Sequence, residues 1–263
     1  MPWGVRKMVI GRVARIVGLI GAIAAATASV AVAQDNYLVQ REAMVARLVE
    51  AGVVSDARIT AAMTKIERHL FVPHGQTASS YDDTSLPIGH EQVLATPSLT
   101  ALMLGALRLE PTHRVLEIGT GAGYQTALLA ELARHVYSTE VVEPLHVATQ
   151  ERILGLGYTN VTLRNAEGYA GWPEHQPYDR IIVNCAPTQI PQALLDQLRD
   201  GGLMVIPLTE EEGWAQTLYL IEKRGDELVR TPLTYAIFAP LLHAAPPPEL
   251  EAEPIEDGAS EKT

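Results

Sequence analysis

The segment Arg114–Tyr124, R-V-L-E-I-G-T-G-A-G-Y, constrains this chain more than any other. Val115, Leu116 and Ile118 form a short apolar run of the kind found in a strand buried on both faces. Gly119, Gly121 and Gly123 follow at alternate positions, where a missing Cβ lets the backbone turn and approach a ligand closely. After Tyr124 the chain reads Q-T-A-L-L-A-E-L-A, good helix formers with apolar residues at helical spacing. Strand, glycine turn and helix make the opening unit of a nucleotide-binding α/β sheet, in which ligands sit beyond the carboxyl ends of the strands.

The glycine spacing narrows the ligand. A dinucleotide fingerprint, G-x-G-x-x-G, needs glycine where Tyr124 stands, which weakens a nicotinamide reading. The form found here, E-x-G-x-G-x-G over Glu117–Gly123, resembles motif I of class I S-adenosylmethionine methyltransferases. Glu140 follows Gly121 by 19 residues, at the end of the apolar run Val136–Val141. An acid there accepts hydrogen bonds from ribose hydroxyls. The expected cofactor is therefore S-adenosyl-L-methionine. Its expected contacts are Glu117, Gly119, Thr120, Gly121 and Gly123, with Tyr124 beside the methionine moiety and Glu140 and Val141 at the sugar.

Both ends of the chain differ from this centre. Met1–Ala33 carries Arg6, Lys7, Arg12 and Arg15, no acid, and then an Ala/Gly-rich apolar run closing on Ala31-Val32-Ala33. That is the pattern of a signal peptide, with Gln34 as the mature start; an uncleaved membrane anchor is the alternative. As signal or anchor, the positive flank places the remainder outside the cytoplasm, and cleavage would leave it periplasmic; a cytosolic chain whose start only mimics a leader is the third reading. At the other end, residues 244–263 hold six acids against one Lys and are rich in Pro, a composition expected to stay disordered. The domain expected between them is 34–243, ample for one α/β core.

Total charge is −11, of which the leader supplies four positive charges, so residues 34–263 carry −15. Such an acidic domain is a poor partner for nucleic acid, whose phosphates must be neutralised. Membrane contact is expected only through an uncleaved leader, and the domain is expected to be a monomer. The single cysteine, Cys185, excludes an internal disulfide, and the eight histidines are scattered without ligand spacing, so no metal is expected.

Periodicity predicts two leading helices, Asp35–Ala51 and Asp56–Phe71, with Met44, Val45, Leu48 and Val49 on one apolar face and Ile59, Met63, Ile66 and Leu70 on the other. An irregular loop is expected over 74–93, and loops that long are usually functional. A helix over Pro97–Leu109 precedes the central unit. Helix Pro144–Leu156, strand Asn160–Arg164, strand Arg180–Asn184, helix Pro191–Arg199 and strand Leu203–Pro207 follow. Two alternating runs, Gln216–Lys223 and Leu228–Phe238, look antiparallel. The fold class is α/β: a doubly wound, Rossmann-like methyltransferase sheet, mostly parallel with an antiparallel C-terminal pair.

Several further segments carry a family resemblance. R-H-L-F-V-P (68–73), Y-x-D-x-x-L-P-I-G (81–89), V-L-E-I-G-T-G-x-G-Y-Q-T-A (115–127) and V-Y-S-T-E (136–140) come first in the chain. L-G-Y-x-N-V (156–161), G-W-P-E (171–174), Y-D-R-I-I-V (178–183) and Q-L-R-D-G-G (197–202) complete the set. In order and spacing the chain resembles protein-L-isoaspartate O-methyltransferases over about residues 37–241. The resemblance implies methylation of the α-carboxylate of isoaspartyl residues in damaged proteins or peptides, a repair step. It also implies that the substrate loop contains His90, Gln92, Val93 and Leu94. Trp172 is expected to pack the loop over the cofactor.

Departures from the family pattern bear on activity. The family's loop serine falls at Ala95, so a hydroxyl is lost there, and one oriented donor typically contributes roughly 100- to 1,000-fold in rate. Thr96 is the candidate substitute. The family's G-D-G, which recognises adenine, appears as Ala166-Glu167-Gly168, giving Glu167 and Gly168 as cofactor contacts, and T-A-A appears as Asn184-Cys185-Ala186. Glu91 replaces a glycine and adds negative charge near an anionic substrate. Two other readings stay open at this point: a SAM-binding relative without catalysis, and a methyltransferase for small carboxylates.

Overall fold

A computed structural model describes residues 36–209 and 216–242. The expected leader (1–33) and acidic tail (244–263) lie outside the described residues. Among the described residues no helix is long and apolar enough to cross a membrane.

Two helices lead in: α1 (36–50) and α2 (Ala57–Lys65). The Asp56 carboxylate caps α2 by accepting from the Arg58 amide at 2.8 Å. Met44, Leu48, Ile59 and Met63 are buried as their spacing predicts, whereas Val49 and Leu70 are exposed. α2 also stops earlier than its apolar period suggests. Ile66 turns extended (φ −80°, ψ 127°) and a short 3-10 turn, Arg68–Phe71, follows. The reason is tertiary. Arg68 is fully buried, donates through Nε to the Ser80 carbonyl (2.8 Å) and through Nη2 to the Ala95 carbonyl (2.8 Å), and lies 4.9 Å from the Tyr124 ring. A continuing helix would not present Arg68 to those partners.

The expected irregular loop at 74–93 is instead ordered. A 3-10 turn at His74–Ser79 precedes a hairpin of β1 (Leu86–Gly89) and β2 (Gln92–Leu94), with Leu86 opposite Leu94 and Gly89 opposite Gln92. Its two-residue turn is His90-Glu91, both at positive φ (52° and 59°). Such turns usually use Asn or Gly, so the sequence carried no hairpin signal. Thr96 then caps α3 (Pro97–Ala106) by accepting from the Leu99 amide at 3.1 Å, with Pro97 preset for the first helical position.

The sheet holds five parallel strands, β3 (Arg114–Ile118), β4 (His135–Glu140), β5 (Val161–Asn165), β6 (Tyr178–Val183) and β7 (Leu198–Thr209), and an antiparallel pair, β8 (Gln216–Arg224) and β9 (Glu227–Ala236). Its order is β5-β4-β3-β6-β7-β8-β9. Helices α4 (Tyr124–Leu132), α5 (Glu143–Gly155) and α6 (Gln192–Gln197) connect the parallel strands. The mostly parallel sheet with antiparallel C-terminal strands agrees with the expected class.

β3 is the middle one of the five parallel strands, with Val115 in one apolar cluster and Leu116 and Ile118 in the other, so its two faces feed separate cores. Strand order reverses around β3: the chain runs outward through β4 and β5, then returns to β6 on its other side. That is where open α/β sheets form a crevice beyond the strand ends.

Candidate active site

The turn after β3 needs its glycines. Gly119, Gly121 and Gly123 all sit at positive φ (87°, 54° and 89°). At Gly123 a Cβ would also stand 2.6 Å from Thr149 Cγ2, so this glycine lets the turn pack on α5. The amides of Gly119 and Thr120 donate to the Thr139 carbonyl (2.8 and 3.2 Å), tying the turn to the end of β4. From α5, Thr149 Oγ1 donates to the Gly121 carbonyl (2.7 Å) and Arg152 Nη1 to the Ala122 carbonyl (2.8 Å). Glu140 links two sides of the crevice: Oε2 accepts from the Gly121 amide at 2.8 Å, and Oε1 from the Val142 amide at 2.9 Å. Each oxygen retains a lone pair for a further donor, such as a ribose hydroxyl.

Beneath the turn lies a buried polar network. The Glu117 carboxylate is wholly inaccessible and accepts from Thr126 Oγ1 (2.6 Å), Ser138 Oγ (2.7 Å), Asn184 Nδ2 (3.3 Å) and Gln125 Nε2 (3.5 Å). Burial pushes its pKa up to about 7, against the lowering pull of those donors. Ser138 spends its proton on Glu117, so in the 2.6 Å contact between Thr120 Oγ1 and Ser138 Oγ the threonine is the donor. Asn184 Nδ2 also donates to the Gly119 carbonyl at 2.9 Å, joining β6 to the turn. Glu117 thus holds the underside of the crevice and does not line it.

Above the network is a cavity of about 1210 Å³. Gly119, Thr120, Gly121, Glu140, Val141 and Gly168 line it, as do Gln92, Val93, Leu94, Ala95 and Thr96 from the hairpin and the start of α3. Sequence-predicted residues outside the lining have other surroundings. Tyr124 is fully buried, edge-on to Phe71 (5.5 Å) and against Arg68, so it belongs to the core. His90 is exposed at the hairpin turn. Glu167 lies between Ala166 and Gly168, which do line the cavity. Trp172 packs edge-on against Tyr137 (5.9 Å), away from the cavity.

Other lining residues escaped the sequence reading: Ser98, Thr139, Cys185 and the segment after β9 from Ile237 to Leu242. Thr139 borders the cavity, but its Oγ1 is itself inaccessible and has no hydrogen-bond partner. Cys185 has its thiol pKa pushed up to about 12, first by burial and then by the charge of Glu140. Among the described residues Glu140 is the only charged side chain on the lining, so the cavity favours a cation. No group of His, Cys, Asp or Glu among the described residues is arranged to hold a metal.

A glycine turn at a sheet switch point, an acid at the end of the next strand and a roomy cavity define a nucleoside-binding α/β protein of the class I methyltransferase kind. The sequence model of protein-L-isoaspartate(D-aspartate) O-methyltransferase (PCMT) matches residues 39–245. The chain belongs to this family.

A Synechococcus sp. (strain JA-2-3B'a(2-13)) protein named protein-L-isoaspartate O-methyltransferase is 49% identical over 178 residues, covering 68% of this chain and 73% of that one. The Dictyoglomus thermophilum protein of the same name is 44% identical over 206 residues, covering 78% and 92%. A solved structure named protein-L-isoaspartate O-methyltransferase superposes with a TM-score of 0.70 at 28% identity, covering 76% of this chain and 65% of that one. A Plasmodium falciparum structure in complex with S-adenosyl-L-homocysteine shares the fold, with a TM-score of 0.66 at 22% identity, covering 77% and 98%.

Proposed function

We propose that this chain is an S-adenosyl-L-methionine-dependent protein carboxyl methyltransferase acting on the α-carboxylate of isoaspartyl residues, a protein-repair step. Family membership across the whole described domain carries this reading and does not favour the binding-only or small-acid alternatives. The cavity residues fit the cofactor. Glu140 offers acceptor capacity to the ribose, and the Gly119–Ala122 turn a backbone wall without Cβ atoms at its glycines.

The cofactor supplies a methyl group already activated on a positively charged sulfur. An acceptor carboxylate is ionised at neutral pH and needs no base. This chain's residues therefore have to bind, orient and exclude water, the proximity contribution. The negative charge of Glu140 favours the sulfonium, and the largely apolar lining keeps the charges of donor and acceptor poorly screened.

Residues 1–33 are proposed to direct export, leaving a monomeric, acidic periplasmic enzyme with proteins rather than nucleic acid as substrates. Fractionation of cells by osmotic shock, probing for the chain with and without residues 1–33, tests that placement. The activity is tested in two measurements on the purified protein. Calorimetric titration with S-adenosylmethionine and S-adenosylhomocysteine should show saturable binding; no heat at millimolar ligand overturns cofactor use. Incubation with an isoaspartyl peptide should give a base-labile methyl ester, absent with the matching aspartyl peptide. Methylation of small acids but never of peptide would overturn the substrate assignment.

A further inference from the structure

The cavity wall built by the hairpin and α3 has no counter-charge for an anion: the described lining contains no Lys, Arg or His. The backbone donors at the start of α3 are spent. The Ser98 amide donates to Asp83 Oδ1 (2.8 Å), the Leu99 amide to Thr96 Oγ1 (3.1 Å) and the Thr100 amide to the Thr96 carbonyl (3.0 Å). The Thr100 hydroxyl also donates to that carbonyl, at 3.0 Å. Two hydroxyls remain on this wall beside Ala95. Thr96 Oγ1 and Ser98 Oγ lie 3.0 Å apart, both half-buried and both on the lining.

Two hydroxyls bring two protons, and only one lies between the two oxygens. Either hydroxyl can give that proton, and because Thr96 Oγ1 already accepts the Leu99 amide its own O–H is polarised towards donation, which favours Thr96 giving its proton to Ser98. In that arrangement the Ser98 proton is left over, and no acceptor among the described residues takes it.

We propose that Ser98 donates this proton in a hydrogen bond to the acceptor carboxylate, with Thr96 as the positioning residue that aims it. The proposal rests on the isoaspartyl reading above and names the contact by which that substrate is held. An O–H···O⁻ bond is short and roughly twice as strong as a neutral one, enough to fix which oxygen faces the methyl group. A neutral donor suits this chemistry better than a cation. A cation would repel the sulfonium and quench the carboxylate's nucleophilicity, whereas a hydroxyl orients the anion and leaves its charge in place.

The test compares wild type, Ser98→Ala and Ser98→Thr as full chains. It measures kcat and KM for an isoaspartyl peptide at saturating S-adenosylmethionine, and affinity for S-adenosylhomocysteine by calorimetry. Ser98→Ala should lower kcat/KM by roughly 100-fold, the loss of one oriented donor. Ser98→Thr, which keeps the hydroxyl, should restore most of it, and homocysteine-nucleoside affinity should hold across all three. Undiminished kcat/KM in Ser98→Ala overturns the proposal while the isoaspartyl reading stands. An equal loss of nucleoside affinity overturns it too, because the defect is then in the fold of the crevice. A wild type that neither binds nor methylates the peptide removes the isoaspartyl reading and this contact with it.

Discussion

Replacing Glu140 with glutamine isolates what one carboxylate does for the crevice. In the native chain its oxygens accept from the Gly121 amide at 2.8 Å and the Val142 amide at 2.9 Å, and the residue is 6% exposed. Glutamine keeps the length and one carbonyl oxygen, so one amide retains its acceptor while the other faces an NH₂ group that can only donate. A hydrogen bond to a charged acceptor contributes about 1.5–3 kcal/mol and a neutral one about 1 kcal/mol. Going from two of the first kind to one of the second removes roughly 2–5 kcal/mol. With a urea dependence of ~2 kcal/mol per molar, the unfolding midpoint should fall by about 1–2.5 M.

Nucleoside affinity should fall with it, because Gly121 and Val142 both line the cavity and lose their common tether. The assays are urea unfolding followed by circular dichroism and calorimetric titration with S-adenosylhomocysteine. A variant with the wild-type midpoint and the wild-type affinity would refute the idea that this carboxylate organises the two segments.

Gly168→Ala would place a Cβ 2.2 Å from Ile118 Cγ2 and 2.8 Å from Leu241 Cδ1. Ile118 is stiff at χ1, so the variant should lose about 1–3 kcal/mol; an unaltered thermal midpoint would show that the site relaxes freely. Glu117, raised from an ordinary 4.5 to about 7, gives stability that is full below pH 4.5 and is lost as pH rises through about 7. Urea unfolding of wild type and Glu117→Gln at several pH values should show the wild type losing roughly 3 kcal/mol more over that range, and parallel profiles would contradict it. Cys185 lines the cavity, yet its thiol is pushed up to about 12, so native alkylation near pH 8 should run roughly 1,000-fold slower than for an ordinary thiol. Mass spectrometry before and after denaturation checks this, and rapid native labelling would contradict it.

Local patterns made the central unit legible. The strand, glycine turn and helix over Arg114–Leu132 appear where the apolar run and helix formers place them. The strands from β4 to β9 follow from the same periodicities with shifted boundaries, the largest at β7, which begins at Leu198 inside the expected helix Pro191–Arg199 and not at Leu203. The crevice was legible for a related reason: a strand-end acid such as Glu140 and a glycine turn are local features whose partner is set by sheet topology.

What escaped the sequence has a common cause in contacts between residues far apart in the chain. The end of α2 is set by Arg68, whose partners lie 12 and 27 residues away. Glu117, Gly123 and Tyr124 hold motif positions expected at the cofactor, but none lines the cavity: Glu117 anchors the network below, Gly123 packs the turn on α5 and Tyr124 sits in the core. Ser98 carried no signal, because one serine in a helix start differs from any other only through its neighbours Thr96 and Asp83. The sequence alone determined that a parallel sheet would open a nucleoside crevice after β3, since backbone sterics and apolar periodicity act over a few residues. Which side chains enter that crevice, and which protons are left unspent in it, was decided only by tertiary packing, because those depend on pairings that separate segments make when the core closes.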